Sequence, residues 1–138
     1  MLMTIVAGDY LEEALDFILQ AFADCRSSKW KFSILHAGMA VEMLLKERLV
    51  RINAGMVLEQ IDNPQCKTTV GMNKILARLE TLSLKLRHED QDLIKQIAEW
   101  RNDVAHRKLL ASRDDVQKKL ASIFKFFSRY LENEFGIK

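Results

Sequence analysis

At 138 residues, with 49% hydrophobic content and a single proline, the chain suits one compact domain with one core and is too short for two. Five glycines and one proline are too few for the tight turns of an all-β fold, while recurring Leu, Ala, Lys, Glu, Met and Arg favour helix. A formal net charge of +2, from 21 basic and 19 acidic residues, is too small to argue for nucleic-acid binding by itself, so local patterning has to decide. In chain order, Gly8-Asp9 precedes the apolar-periodic run Leu11, Ala14, Leu15, Ile18, Leu19 and Phe22. With Glu12 three residues after Asp9, this predicts a capped first helix that runs to about Asp24.

Ser27 or Ser28 opens the longest helical pattern, from Trp30 through Ile34, Val41 and Leu45 to Leu49, which fades near Asn53-Ala54-Gly55. A short apolar turn, Met56 to Ile61, leads into the breaker-rich stretch Asp62 to Lys67, the one substantial loop. Thr68 or Thr69 should cap a third helix through Met72, Ile75, Leu79 and Leu82, and the polar turn Lys85 to Glu89 separates it from a fourth. The fourth carries Leu93, Ile94, Ile97, Ala98, Trp100, Val104 and Ala105 as one stripe, opposite Lys95, Glu99 and Asp103. Ser112 with Asp115 is a second capping-box signature, opening a last helix through Val116, Leu120, Ile123, Phe127 and Leu131. The expected architecture is all-α: an antiparallel bundle of four main helices plus a short additional helix, forming a single domain over residues 1 to 138. Phe124, Phe126, Phe127 and Tyr130 crowd the last helix beyond what one core should take, so a surplus is expected at a dimer interface.

No apolar run approaches the ~20 residues of a membrane span, and MLMTIVAGDYLEE lacks the basic leader and cleavage site of a signal peptide. A cytoplasmic protein without membrane contact is expected. Cys25 and Cys66 have neither C-x-x-C spacing nor nearby histidines, which suggests free buried thiols. His36, His88 and His106 are far apart, with no H-E-x-x-H or i,i+4 pair, so neither a metal nor another cofactor is expected. His36 and His88 read as ordinary polar residues.

The chemistry concentrates in Trp100-Arg101-Asn102-Asp103-Val104-Ala105-His106-Arg107-Lys108. In an ideal helix Asn102 and His106 are i,i+4 neighbours, while Arg101 lies roughly 140° round from His106. One helix thus offers half a site, and a two-fold dimer that abuts two such helices would gather two histidines and two arginines in one cationic cleft. Arg107, Lys108 and Arg113 add positive charge for phosphate, with Asp103 the single acid from Arg101 to Arg113. A plainer alternative is a solvated helix end whose cations complement the dipole. Glu42, supported by Lys46, falls on an apolar row where a carboxylate needs a partner, either a basic group such as Arg101 or simply Lys46 at i,i+4. Trp100 has the ring to stack on a base, but its place beside Ile97 and Val104 on the same stripe reads as a core residue.

Arg101 to His106 resembles the R-x(4–6)-H motif of the HEPN superfamily, helical-bundle proteins of toxin–antitoxin, abortive-infection and CRISPR systems. The stretches His36 to Lys46 and Gly71 to Leu76 resemble that family's long second helix and the helix after it, so the likeness spans about Asp9 to Leu131. The resemblance implies a metal-independent endoribonuclease that leaves 2′,3′-cyclic phosphate ends and works as a homodimer, with an antitoxin or other regulatory protein as a further partner. His106 would act as acid/base, Arg101 would stabilise the phosphorane charge, and Asn102 would hold phosphate or fix the imidazole tautomer. These residue types support the same chemistry, since histidine exchanges protons near neutral pH and guanidinium binds phosphate bidentately. Where toxins paired with a small nucleotidyltransferase often carry an adenylylated tyrosine, two residues after the histidine, this chain has Lys108. Other members of the superfamily are non-catalytic modules that dimerise and bind a nucleotide or a regulatory protein.

Overall fold

A computed structural model describes residues 8–61, 69–107, 109 and 111–137. Within them the chain forms five α-helices: α1 (Asp9–Arg26), α2 (Trp30–Val50), α3 (Met72–Thr81), α4 (His88–Ala105) and α5 (Arg113–Phe135). A 3-10 turn, Ala54–Val57, follows α2, and Leu58 and Thr69 form an isolated bridge. The fold is all-α, with four long helices and the short α3, and no helix of the described residues is long and apolar enough to cross a membrane. The loop expected over Asp62 to Lys67 lies outside the described residues.

α2 is the central helix because its apolar residues point in most directions rather than one. Ile34, Ala37, Ala40, Val41, Leu44, Leu45 and Leu49 are all fully buried, which a helix reaches only when neighbours surround it. Contacts between α1 and α2 run in opposite order, Leu11 meeting Glu47 at one end and Asp24 meeting His36 at the other. α4 and α5 also run oppositely, with Gln96 beside Lys119 and Asp90 beside Arg129. α5 runs in the same direction as α2, from Arg113 at Trp30 to Glu134 at Arg48.

Several helix ends differ from the local sequence signals. The Asp9–Glu12 capping box does not form: Gly8 occupies the N-cap with a left-handed φ of 104°. Glu47 is the reason. Its fully buried carboxylate accepts the amides of Gly8 (2.7 Å) and Leu11 (3.2 Å) and pairs with Arg51 Nε at 2.9 Å, so an acid from another helix satisfies the exposed donors and positive end of α1. α2 starts after Lys29 rather than on a serine cap, and α3 after Gly71 rather than on Thr68 or Thr69. Thr69 instead pairs with Leu58, and its hydroxyl accepts from Lys46 Nζ at 3.1 Å. Ser112 does cap α5, its Oγ accepting from the Asp115 amide at 3.1 Å.

The aromatic surplus expected on α5 is largely absorbed by the core. Phe126, Phe127 and Tyr130 are buried, with Tyr130 packed between Phe126 and Phe135, and Phe124 is partly buried with its edge against Phe22 of α1. A ring of helices around α2 offers more apolar surface than one amphipathic stripe suggests.

Candidate functional site

Arg101 sits on the α4 face that turns toward α2. Its side chain is 35% exposed, and Nη1 lies 3.8 Å from Glu42 Oε2. The aliphatic part runs over Gly38, where a β-carbon would stand 3.0 Å from Arg101 Cδ. A glycine with ordinary helical backbone, bare for the sake of a neighbour, lets α4 bring its arginine down onto α2. Glu42 is mostly buried between two cations, 3.9 Å from Lys46 Nζ on one side and Arg101 on the other. Lys46 is itself buried, bonded to Thr69 and 5.8 Å from the Tyr10 ring centroid. Burial pushes the Tyr10 phenol above its ordinary value, and the carboxylates of Glu13, Glu42 and Asp9 push the same way.

Arg101 and Glu42 border a groove of about 540 Å³ whose walls also include Met39 from α2, Met72 from α3 and Asn102 from α4. One cationic group with a planar donor fork beside an amide, over an otherwise apolar floor, suits an oxyanion attached to a flat or apolar body. Glu42 takes the negative role in the structure, the one acid paired with the guanidinium among the described residues.

His106 stands apart from this groove. It is the C-cap of α4, its amide bonded to the Asn102 carbonyl at 3.1 Å, and its imidazole is exposed with no side-chain hydrogen bond among the described residues. Arg107 follows with a left-handed φ of 58°, which ends the helix and turns the chain away. Within one protomer the structure therefore groups Arg101, Asn102 and Glu42 around the groove, with Lys46 behind Glu42 and His106 exposed at the C-cap, just past the groove-lining Ala105. Arg113 is elsewhere: its guanidinium carbon lies 4.9 Å from the Trp30 ring centroid and Nη2 donates to Ser28 Oγ at 3.4 Å. Lys108 lies outside the described residues.

Two polar groups were not singled out by sequence. Glu47 had no signal, because an acid within the charged run Lys46-Glu47-Arg48 ordinarily faces solvent. Asp24 is buried and accepts from Gln20 Nε2 at 2.9 Å and bonds His36 Nδ1 at 2.6 Å, while the His36 ring stacks on Phe17. His36 is thus a tie between α1 and α2. Cys25 is a free thiol whose pKa burial raises, and Cys66 lies outside the described residues. Among the described residues no group of three or more His, Cys, Asp or Glu could hold a metal ion. No protein-family model, curated protein or solved structure matches the chain.

Proposed function

We propose that the chain is a metal-independent endoribonuclease of HEPN type that acts on RNA in the cytoplasm as a homodimer with a composite site, in a toxin or anti-phage role. The observation that carries this reading is Arg101 laid over the bare backbone of Gly38 and steered by Glu42 into a groove shared with Asn102. Such packing fixes a guanidinium in advance, which is what stabilisation of a phosphorane requires. In the proposed reaction the ribose 2′-oxygen attacks the adjacent phosphorus and loses its proton to one His106. The bond from phosphorus to the 5′-oxygen breaks, and the leaving oxygen takes a proton from the second protomer's His106. The product is a 2′,3′-cyclic phosphate. The separation of His106 from the Arg101 groove within one chain suits a site completed by a second copy.

A second reading is a non-catalytic HEPN-like module that dimerises and binds a nucleotide or a regulatory protein such as an antitoxin. The Arg101–Glu42 pair favours it, since an arginine already satisfied by a carboxylate can serve structure alone. Incubation of the purified chain and a His106→Ala variant with total RNA in EDTA separates the two. Cleavage by the wild type with cyclic phosphate ends, lost in the variant, is expected. A folded, dimeric wild type that leaves RNA intact would support the module instead.

A further inference from the structure

Trp100 and Arg101 are consecutive on α4 and therefore flank the helix on different sides, Arg101 toward α2 and Trp100 toward α5. On the α5 side lies a second groove, of about 440 Å³, bordered by Gln96, Trp100, Asp115, Lys118, Lys119 and Ser122. It continues along α4 and α5 past Gln96, Lys119 and Ser122 toward Lys125. Lys119 Nζ bonds the Gln96 side-chain oxygen and lies 5.7 Å from the Trp100 ring centroid, while Lys118 is exposed at the rim. Many other cations of the bundle are spoken for: Arg48 by Glu134, Arg51 by Glu47, Arg101 by Glu42 and Arg129 by Asp90. Lys118 and Lys119 have no ion-pair partner among the described residues. Beside Trp100 the groove thus offers two ammonium groups without an ion-pair partner among the described residues and a partly exposed indole, with Asp115 the acid that borders this end and Glu89, Asp90 and Asp92 bordering the continuation.

An aromatic face with cations beside it is the arrangement that holds a single-stranded nucleotide, the ring taking the base and the ammoniums the phosphate. We propose that this α4–α5 groove is a second RNA subsite, taking a nucleotide that flanks the cleaved phosphate with its base against Trp100 and its phosphate against Lys118 and Lys119. The inference rests on the ribonuclease reading and adds where the strand goes: over α4, from the Arg101 groove on one flank to the Trp100 groove on the other. Trp100 then has two duties, packing partly on the core and lining the groove.

The test uses the intact wild-type chain and a fluorescein-labelled, mixed-sequence, single-stranded oligoribonucleotide that is 2′-O-methylated so that it binds without being cut. Lys118→Glu with Lys119→Glu should weaken binding about tenfold or more. The pair should also reduce the slope of log affinity against log salt by about 0.7 per lysine. Lys31→Glu, at an exposed lysine on α2, makes the same charge change as either single lysine variant and should bind like wild type, whereas Lys118→Glu or Lys119→Glu alone should each weaken binding. In a Trp30→Phe background, where Trp100 is the one remaining tryptophan, the oligonucleotide should quench its fluorescence. Unchanged binding by the folded double variant, or unquenched Trp100, overturns the subsite while leaving the ribonuclease reading intact. So does a wild type that cleaves total RNA but does not bind the oligonucleotide. A wild type that neither binds nor cleaves overturns both.

Discussion

The Cδ of Arg101 lies 3.0 Å from the place a β-carbon on Gly38 would occupy, so α2 and α4 are in contact through an arginine stem laid on a bare backbone. Gly38→Val should lift Arg101 out of the groove and cut RNA cleavage at least about tenfold, a loss of about 1.4 kcal/mol in the barrier. The fold should survive, because a helix tolerates valine better than glycine and the clash is with a flexible side chain. Cleavage rates beside thermal unfolding curves check this; equal activity in the variant would show that the close approach serves packing alone.

Glu47 should be among the costliest single residues to truncate. Glu47→Ala leaves the Gly8 and Leu11 amides without their acceptor and opens a void in the interior, which is expected to cost about 2–4 kcal/mol in urea unfolding. Glu47→Gln keeps one acceptor oxygen and should lose about half as much.

Tyr130 bears a buried hydroxyl with no hydrogen-bond partner among the described residues. Tyr130→Phe should therefore be neutral or stabilising by up to about 1 kcal/mol, since it removes a desolvated polar atom with nothing to lose. Burial first, and Glu134 second, hold the phenol well above its ordinary value, against a smaller opposing effect of Arg48. A raised phenol favours the neutral form in the folded state. Its contribution to stability is present below the unfolded value of 10.0 and is lost as the pH climbs through the folded one. The advantage of Tyr130→Phe should accordingly widen above pH 10, which unfolding curves at pH 8 and pH 10.5 will show.

Ser112→Ala removes the acceptor for the Asp115 amide at the start of α5 and should cost about 1 kcal/mol. A fall of a few degrees in the thermal midpoint is the expected reading. Because Ser112 follows the α4 terminus and lies outside the Arg101 groove, cleavage should be unchanged at temperatures where the variant is folded.

Helix number and approximate bounds were legible because they depend on local periodicity and breakers, and Ser112 capped as expected because its partner is three residues away. The ends that differ depend on distant residues. Gly8 replaces Asp9 at the start of α1 because Glu47, 39 positions on, reaches its amide. Gly38 gave no sign of its role, since a glycine inside a helical pattern shows a packing need only once the neighbour is known. Arg101 lines the groove and His106, at the exposed end of the same helix, does not. Trp100 was legible as half of what it is: periodicity assigns it to the core but cannot say that it also lines a groove beside α5.

The pairing of α1 with α2 is pinned at both ends, by Glu47 on the first amides of α1 and by Asp24 and Ser33 near its last turn. Two helices fastened this way cannot slip past each other by a turn without exposing a buried carboxylate at each end. They act as a fixed post, so the α2 wall of the Arg101 groove, with Leu35, Met39 and Glu42, is set in place by bonds made on another face of that helix.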